Sequence, residues 1–202
     1  MKTIVHKLLL LVCLLVAGTV WGDAQTNAPS GATNITDNGA DWSNPHYALL
    51  EDGNLSQNGG VTNFNFLSVS NFGFTLPSGA TITNIKVYCK NELGAPTRSL
   101  AARIASGSIV SSTQALSQVY ALDYTTLVGL WGKTWTSAQI NSSGFRVEIN
   151  SPFGAGTADI DYIYTIVEYD WTQSYAVIIS ATGPENIKAT SAGSVTGGII
   201  EQ

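Results

Sequence analysis

Apolar and polar residues alternate along several short stretches of this chain. In Ile85 to Lys90, Ile85, Val87 and Cys89 fall on one side, and Lys86, Tyr88 and Lys90 on the other. Phe145, Val147 and Ile149 alternate in the same way with Arg146 and Glu148. Val61 to Val69 alternates in part, with Phe64, Phe66 and Ser68 set against Asn63, Asn65 and Leu67. A period of two predicts strands that bury one face. Turn residues punctuate them, notably Asp52-Gly53 and Pro77-Ser78-Gly79. Helical periodicity is nearly absent. Thr136 followed three residues later by Gln139 is a capping-box pair, sufficient for one helical turn in a loop. The pattern predicts an all-β, antiparallel sandwich or barrel.

Two stretches break the one-sided rule. Over Ala158 to Trp171, Ile160, Tyr162, Tyr164 and Ile166 read as one face, and Ile163, Val167, Tyr169 and Trp171 as the other. Both faces are apolar, so the second is expected to be covered by the end of the same chain or by a neighbouring subunit. After Trp171 the sequence keeps reading as strand through Ser174–Ser180, Asn186–Thr190 and Ser194–Ile200. Tyr175, Val177, Ile179, Ile187, Val195, Ile199 and Ile200 are the residues expected to carry assembly, by strand addition to another copy's sheet edge.

The amino-terminal end reads differently. Lys2, His6 and Lys7 precede the apolar run Leu8–Ala17, and small residues follow at Gly18, Gly22 and Ala24. That is the layout of a secretory signal peptide, with cleavage expected after Gly22 or Ala24 and no membrane span left afterwards. The expected organisation is a signal peptide over 1–24, a flexible leader over 25–40, a β-sandwich over 41–171 and a strand-forming extension over 172–202. The expected location is secreted, extracellular or at the cell surface.

Charge narrows the partners. Loss of Lys2 and Lys7 leaves seven basic residues against fourteen acidic ones, a net charge of about −7. No basic stripe exists to neutralise phosphates, so nucleic acid is not an expected partner. Charged residues are 11% of the chain, against roughly 25% in typical soluble domains. Such a surface repels its own copies weakly and suits a homo-oligomer, a polymer or a cell-surface polysaccharide. Beyond the leader Cys89 is the sole cysteine, which rules out an intrachain disulfide, and its strand position implies burial.

Signals for chemistry are sparse. Asp159 and Asp161 stand two apart on one strand, as do Glu168 and Asp170, but strand ends tolerate acids for solvation alone. Asp52, Asp159 and Asp161 are weak candidates for a structural calcium, with no Asp-rich loop spacing behind them. Beyond the leader His46 is the only histidine, which excludes an ordinary His-based zinc site, and no Gly-x-Ser-x-Gly elbow is present. No enzymatic activity and no cofactor are expected. Trp131 and Trp135 bracket a loop where sugar-stacking rings could stand, although indoles of this kind more often plug the end of a sandwich.

Several segments resemble a β-sandwich module of phage structural proteins and of bacterial secreted or surface proteins. They are Asp41-Trp42-Ser43-Asn44-Pro45, Phe72 through Val87, Leu130 through Thr136, Ala138 through Phe145 and Asp161-Tyr162-Ile163. The resemblance implies a jelly-roll-like fold and a structural or attachment role, with no catalytic residues to carry over. The signal peptide departs from a virion part, and the stretch after Trp171 is only loosely similar. The expected function is a secreted structural protein that self-associates into a fibre or surface layer. The alternative is a carbohydrate-binding or adhesion module using Trp131 and Trp135.

Overall fold

The computed structural model describes residues 20–35, 39–59, 65–95, 98–151, 156–172, 177–181 and 187–191. Its strands, in chain order, are β1 (Val20–Asn27), β2 (Gly31–Ile35), β3 (Ser56–Gly59), β4 (Phe66–Ser70), β5 (Thr81–Leu93), β6 (Ala101–Ser106), β7 (Ile109–Val110), β8 (Gln114–Ala115), β9 (Asp123–Leu127), β10 (Phe145–Asn150), β11 (Thr157–Thr172), β12 (Val177–Ala181) and β13 (Ile187–Ser191). Sheet one runs β1-β11-β5-β9, with β3 also pairing β11; sheet two runs β2-β4-β10-β6-β7, with β8 on β6. From β1 to β6, successive strands go to alternate sheets, and β9, β10 and β11 do the same. This back-and-forth gives the jelly-roll-like antiparallel sandwich.

The core lies between the sheets and follows the alternation read from the sequence. Val87 and Cys89 of β5 face Val147 and Ile149 of β10 across a cluster that also holds Leu67, Ile104, Ile163 and Val167. Burial pushes the Cys89 thiol well above its usual range, so it packs as a small apolar group. The helical turn forms at Ser137–Ile140 (α1) with the expected reciprocal cap: Thr136 Oγ1 accepts from the Gln139 N–H, and Gln139 Oε1 accepts from the Thr136 N–H.

Where the structure departs from simple alternation, it does so at β11. Ile160 pairs with Asn91 and Tyr162 with Lys90, so Asp161 is an extra residue, a β-bulge. The bulge resets the phase. Ile160 and Ile163 both point inward, while Tyr162 and Tyr164 point outward. Ile160 therefore does not share the tyrosine face, as uninterrupted alternation suggested. A second irregularity, at Glu168/Tyr169, leaves Thr83 of β5 as the extra residue.

The stretch 25–40 carries the end of β1 and all of β2, whereas its composition suggested a mobile leader. Both are edge strands: β1 borders β11, and Ala32, Asn34 and Ile35 of β2 pair with Val69, Leu67 and Phe66 of β4. β1 begins at Val20, inside the segment expected as a signal peptide; residues 1–19 lie outside the described ones. Asn34 also ties this region down, since its side chain accepts from the Trp42 N–H and donates to the Trp42 carbonyl, both at 3.0 Å.

Trp21–Trp171 forms one compact unit, and the chain from Thr172 onward belongs to another. In the latter, β12 and β13 form a two-stranded antiparallel sheet with Val177, Ile179 and Ala181 in register with Ser191, Ala189 and Ile187. Tyr175, Val195, Ile199 and Ile200 lie outside the described residues.

Candidate functional site

The two tryptophans nominated as sugar platforms are core residues. Trp131 and Trp135 are 2% and 3% exposed, and their indole N–H groups donate to the carbonyls of Ile85 and Leu130 at 3.1 and 3.0 Å. The loop does leave the sheet, but Trp131 adopts a left-handed φ of 57° that turns its ring back under β5. Gly129 fixes the same loop by donating to Asn84 Oδ1 and accepting from the Ile85 N–H. The end-plug role is the one realised.

The accessible aromatic surface is instead the outer face of sheet one. Register sets it up in rows across three strands: Tyr162–Lys90–Tyr124, then Tyr164–Tyr88–Thr126, then Ile166–Lys86. The Tyr88 and Tyr164 rings stack with centroids 4.5 Å apart and planes 3° from parallel. Tyr124 meets Tyr164 edge-on at 6.0 Å, and Tyr162 lies 5.8 Å from Tyr164. All four rings are partly open to solvent, Tyr124 most at 36%. This answers why β11 reads as apolar on both faces: tyrosine supplies apolar rings beside a hydroxyl that reaches water.

A polar frame surrounds the rings. At one end, Lys90 Nζ lies 2.9 Å from Glu51 and 3.0 Å from Asp161, and Glu51 also accepts from the Tyr124 hydroxyl. The Asp52-Gly53 turn closes this end, with Leu49 bridging to Tyr162. Gly53, at φ 80°, donates its N–H to Asp161 at 3.0 Å. A left-handed φ of that kind favours glycine. Leu50 stands 65% exposed beside the face. At the other end, Lys86 donates to Glu168, whose second oxygen accepts from Asn84 at 2.9 Å. Beyond it, a shallow hollow of about 350 Å³ is lined by residues of the paired strands β1 and β11, among them Asp23, Glu168 and Asp170, and by Thr83 of β5.

Electrostatics follow this geometry. Burial first, and then the bond to Glu51, push the Tyr124 hydroxyl up to about 12. Burial also raises Tyr162 and Tyr164. Hydrogen bonds from Lys90 and Tyr124 hold Glu51 below the usual carboxylate range, and those from Lys86 and Asn84 do the same for Glu168. The hydroxyls thus remain donors and the carboxylates acceptors across neutral pH.

The acids nominated from sequence are scattered among other tasks. Asp161 is tied to Lys90 and Gly53, Asp52 accepts from the Asn54 backbone and side chain, and Asp159 accepts from Thr157 at 3.2 Å. Among the described residues, no group of three or more His, Cys, Asp or Glu side chains converges as metal ligands would.

No family model matches the chain, and no curated protein matches it. Solved structures with similar strand arrangements include the CBM22-1–GH10 modules of a Clostridium thermocellum endo-1,4-β-D-xylanase complexed with xylohexaose. That match has 12% identity over 80% of this chain and 29% of the other, with a TM-score of 0.41. A second is a CBM4 structure, with 9% identity, 83% and 94% coverage and a TM-score of 0.31. A third is TmCBM61 in complex with β-1,4-galactotriose, with 10% identity, 74% and 88% coverage and a TM-score of 0.27. This chain thus spans under a third of the xylanase chain.

Proposed function

We propose that this protein is a secreted carbohydrate-binding or adhesion module whose ligand face is the outer surface of sheet one. The observation that carries this reading is the half-open cluster of Tyr88, Tyr164, Tyr124 and Tyr162 on the outside of the sheet. Sugars present C–H faces that stack on aromatic rings and hydroxyls that both donate and accept. The rings provide the first surface, and Lys86, Glu168, Asn84 and Glu51 provide partners for the second. The platform lies on rigid paired strands, so little ordering accompanies binding. Among the described residues no helix is long and apolar enough to cross a membrane. Titration against a panel of soluble polysaccharides tests the reading. Tyr164→Ala and Tyr88→Ala should each weaken binding by about tenfold or more, equivalent to about 1.4 kcal/mol. Binding that both variants leave unchanged would refute the assignment.

A second reading, self-association through the carboxy-terminal strands, is favoured by one separate observation. β12 and β13 pair only with each other among the described strands, and a lone two-stranded sheet is marginally stable in water. Its free edges suit strand addition from another copy. Sedimentation of the protein truncated after Trp171 tests this, with assembly in the full chain and monomers in the truncated one as the expected result.

A further inference from the structure

Resting on the carbohydrate reading above, we infer that the tyrosine face selects uncharged polysaccharide chains and rejects acidic ones. Charge is unevenly distributed over this face. Glu51 and Asp161 stand at one end of the face, and Glu168 and Asp170 at the other, against Lys86 and Lys90 among the described residues. Neither lysine is free to receive a ligand anion. Lys90 is held between Glu51 and Asp161, and Lys86 sits on Glu168. A uronate or sulfate would have to displace a carboxylate already in place while approaching others of its own sign. Specificity of this kind comes from repulsion built against the wrong ligand as much as from attraction to the right one. A neutral chain meets no such barrier, and its hydroxyls find the tyrosine hydroxyls as donors and the framed carboxylates as acceptors.

The shape of the face suits an extended chain. The outward positions from Tyr162 to Asp170 run along one strand for about 26 Å, at about 3.3 Å per residue. This path leads from the Asp52-Gly53 turn, over the stacked Tyr88–Tyr164 pair, to Glu168 and Asp170. Several consecutive sugar units fit such a path, so affinity should rise with oligosaccharide length until the path is filled.

Titrating the full chain with hydroxyethylcellulose, mixed-linkage β-glucan and galactomannan, and in parallel with polygalacturonate and alginate, tests the inference. At about 0.01 M salt at least one neutral polymer should bind, and the acidic ones at least tenfold more weakly. The gap should narrow towards 1 M salt, as the screening length falls from about 30 Å to about 3 Å. The variant Asp170→Asn should strengthen acidic-polymer binding and leave neutral binding within about twofold, with circular dichroism confirming its fold. Acidic polymers that bind as tightly as neutral ones at low salt, in a manner lost in Tyr164→Ala, overturn the charge selection and leave the carbohydrate reading standing. Binding of neither class, or binding indifferent to Tyr164→Ala, removes both.

Discussion

The outer faces of the two sheets rest on the same alternation but end in opposite chemical states. On sheet two, the outward positions of β10 are Arg146 and Glu148. Glu148 is only 1% exposed, clamped by Arg103 at 2.6 Å and Arg146 at 2.5 Å, and the Arg103 guanidinium lies 3.8 Å over the Phe66 ring. That surface has closed upon itself, since charge, counter-charge and ring are all paired. On sheet one, β11 presents rings that meet each other but stay partly open to solvent. A face that satisfies its own groups stabilises the fold, whereas one that leaves matched groups half-used is available for a partner. The contrast lies in side-chain chemistry, not in backbone architecture.

The largest expected break in that contrast is Glu148→Ala. It leaves two arginines facing each other on sheet two, and losing one partner of a buried ion pair costs about 3 kcal/mol or more. Urea denaturation should show this, while glycan affinity on the opposite face stays unchanged. Tyr164→Ala should do the reverse, lowering stability by only about 1 kcal/mol, as for an exposed cross-strand aromatic pair, and removing most of the binding. A loss of several kcal/mol in Tyr164→Ala would mean that the tyrosine face is structural after all.

Alkaline pH sharpens the comparison next. Tyr124 is raised to about 12 in the folded protein, against about 10 in an unfolded chain. The unfolded state therefore loses this proton first. The stabilisation from Tyr124 is whole below pH about 10 and declines as pH rises towards 12. Lys90, also raised by Glu51 and Asp161, acts in the same direction. Melting temperatures recorded across this window should fall in the parent protein, and Tyr124→Phe should flatten the slope. The smallest expected effect is at the Lys86–Glu168 pair. Lys86→Met should leave the melting temperature nearly unchanged, because solvent and salt screen such contacts, and a large drop would place that pair with the clamped group on the other sheet.

Much of the fold was legible in the sequence because burial on one side leaves a period of two. The inward sets Ile85–Val87–Cys89 and Phe145–Val147–Ile149 are those the alternation named, and the Thr136–Gln139 cap formed where its spacing placed it. The edge strands β1 and β2 were hidden, since polar, glycine-containing edges bury too little to show a pattern. The site was harder still. Tyr88 and Tyr164 meet only through the register between β5 and β11, a relation that no local spacing reveals. Trp131 and Trp135 were legible as end plugs from their bulk, while their loop position left exposure open, because the direction of a ring depends on backbone angles such as the positive φ at Trp131.

The bulge at Asp161 has a consequence for how this chain can change. It is a phase-shifter: residues before it and after it count from different origins. Deleting that single residue would require either Thr157–Ile160 or the whole tyrosine row to exchange inside for outside, so no short deletion there is conservative. Substitutions on the row, by contrast, leave the count untouched. Tyr162, Tyr164 and Ile166 can therefore vary one at a time without disturbing Ile163, Thr165 and Val167 between them. The strand keeps its interior in step while its exterior remains free to acquire a different ligand.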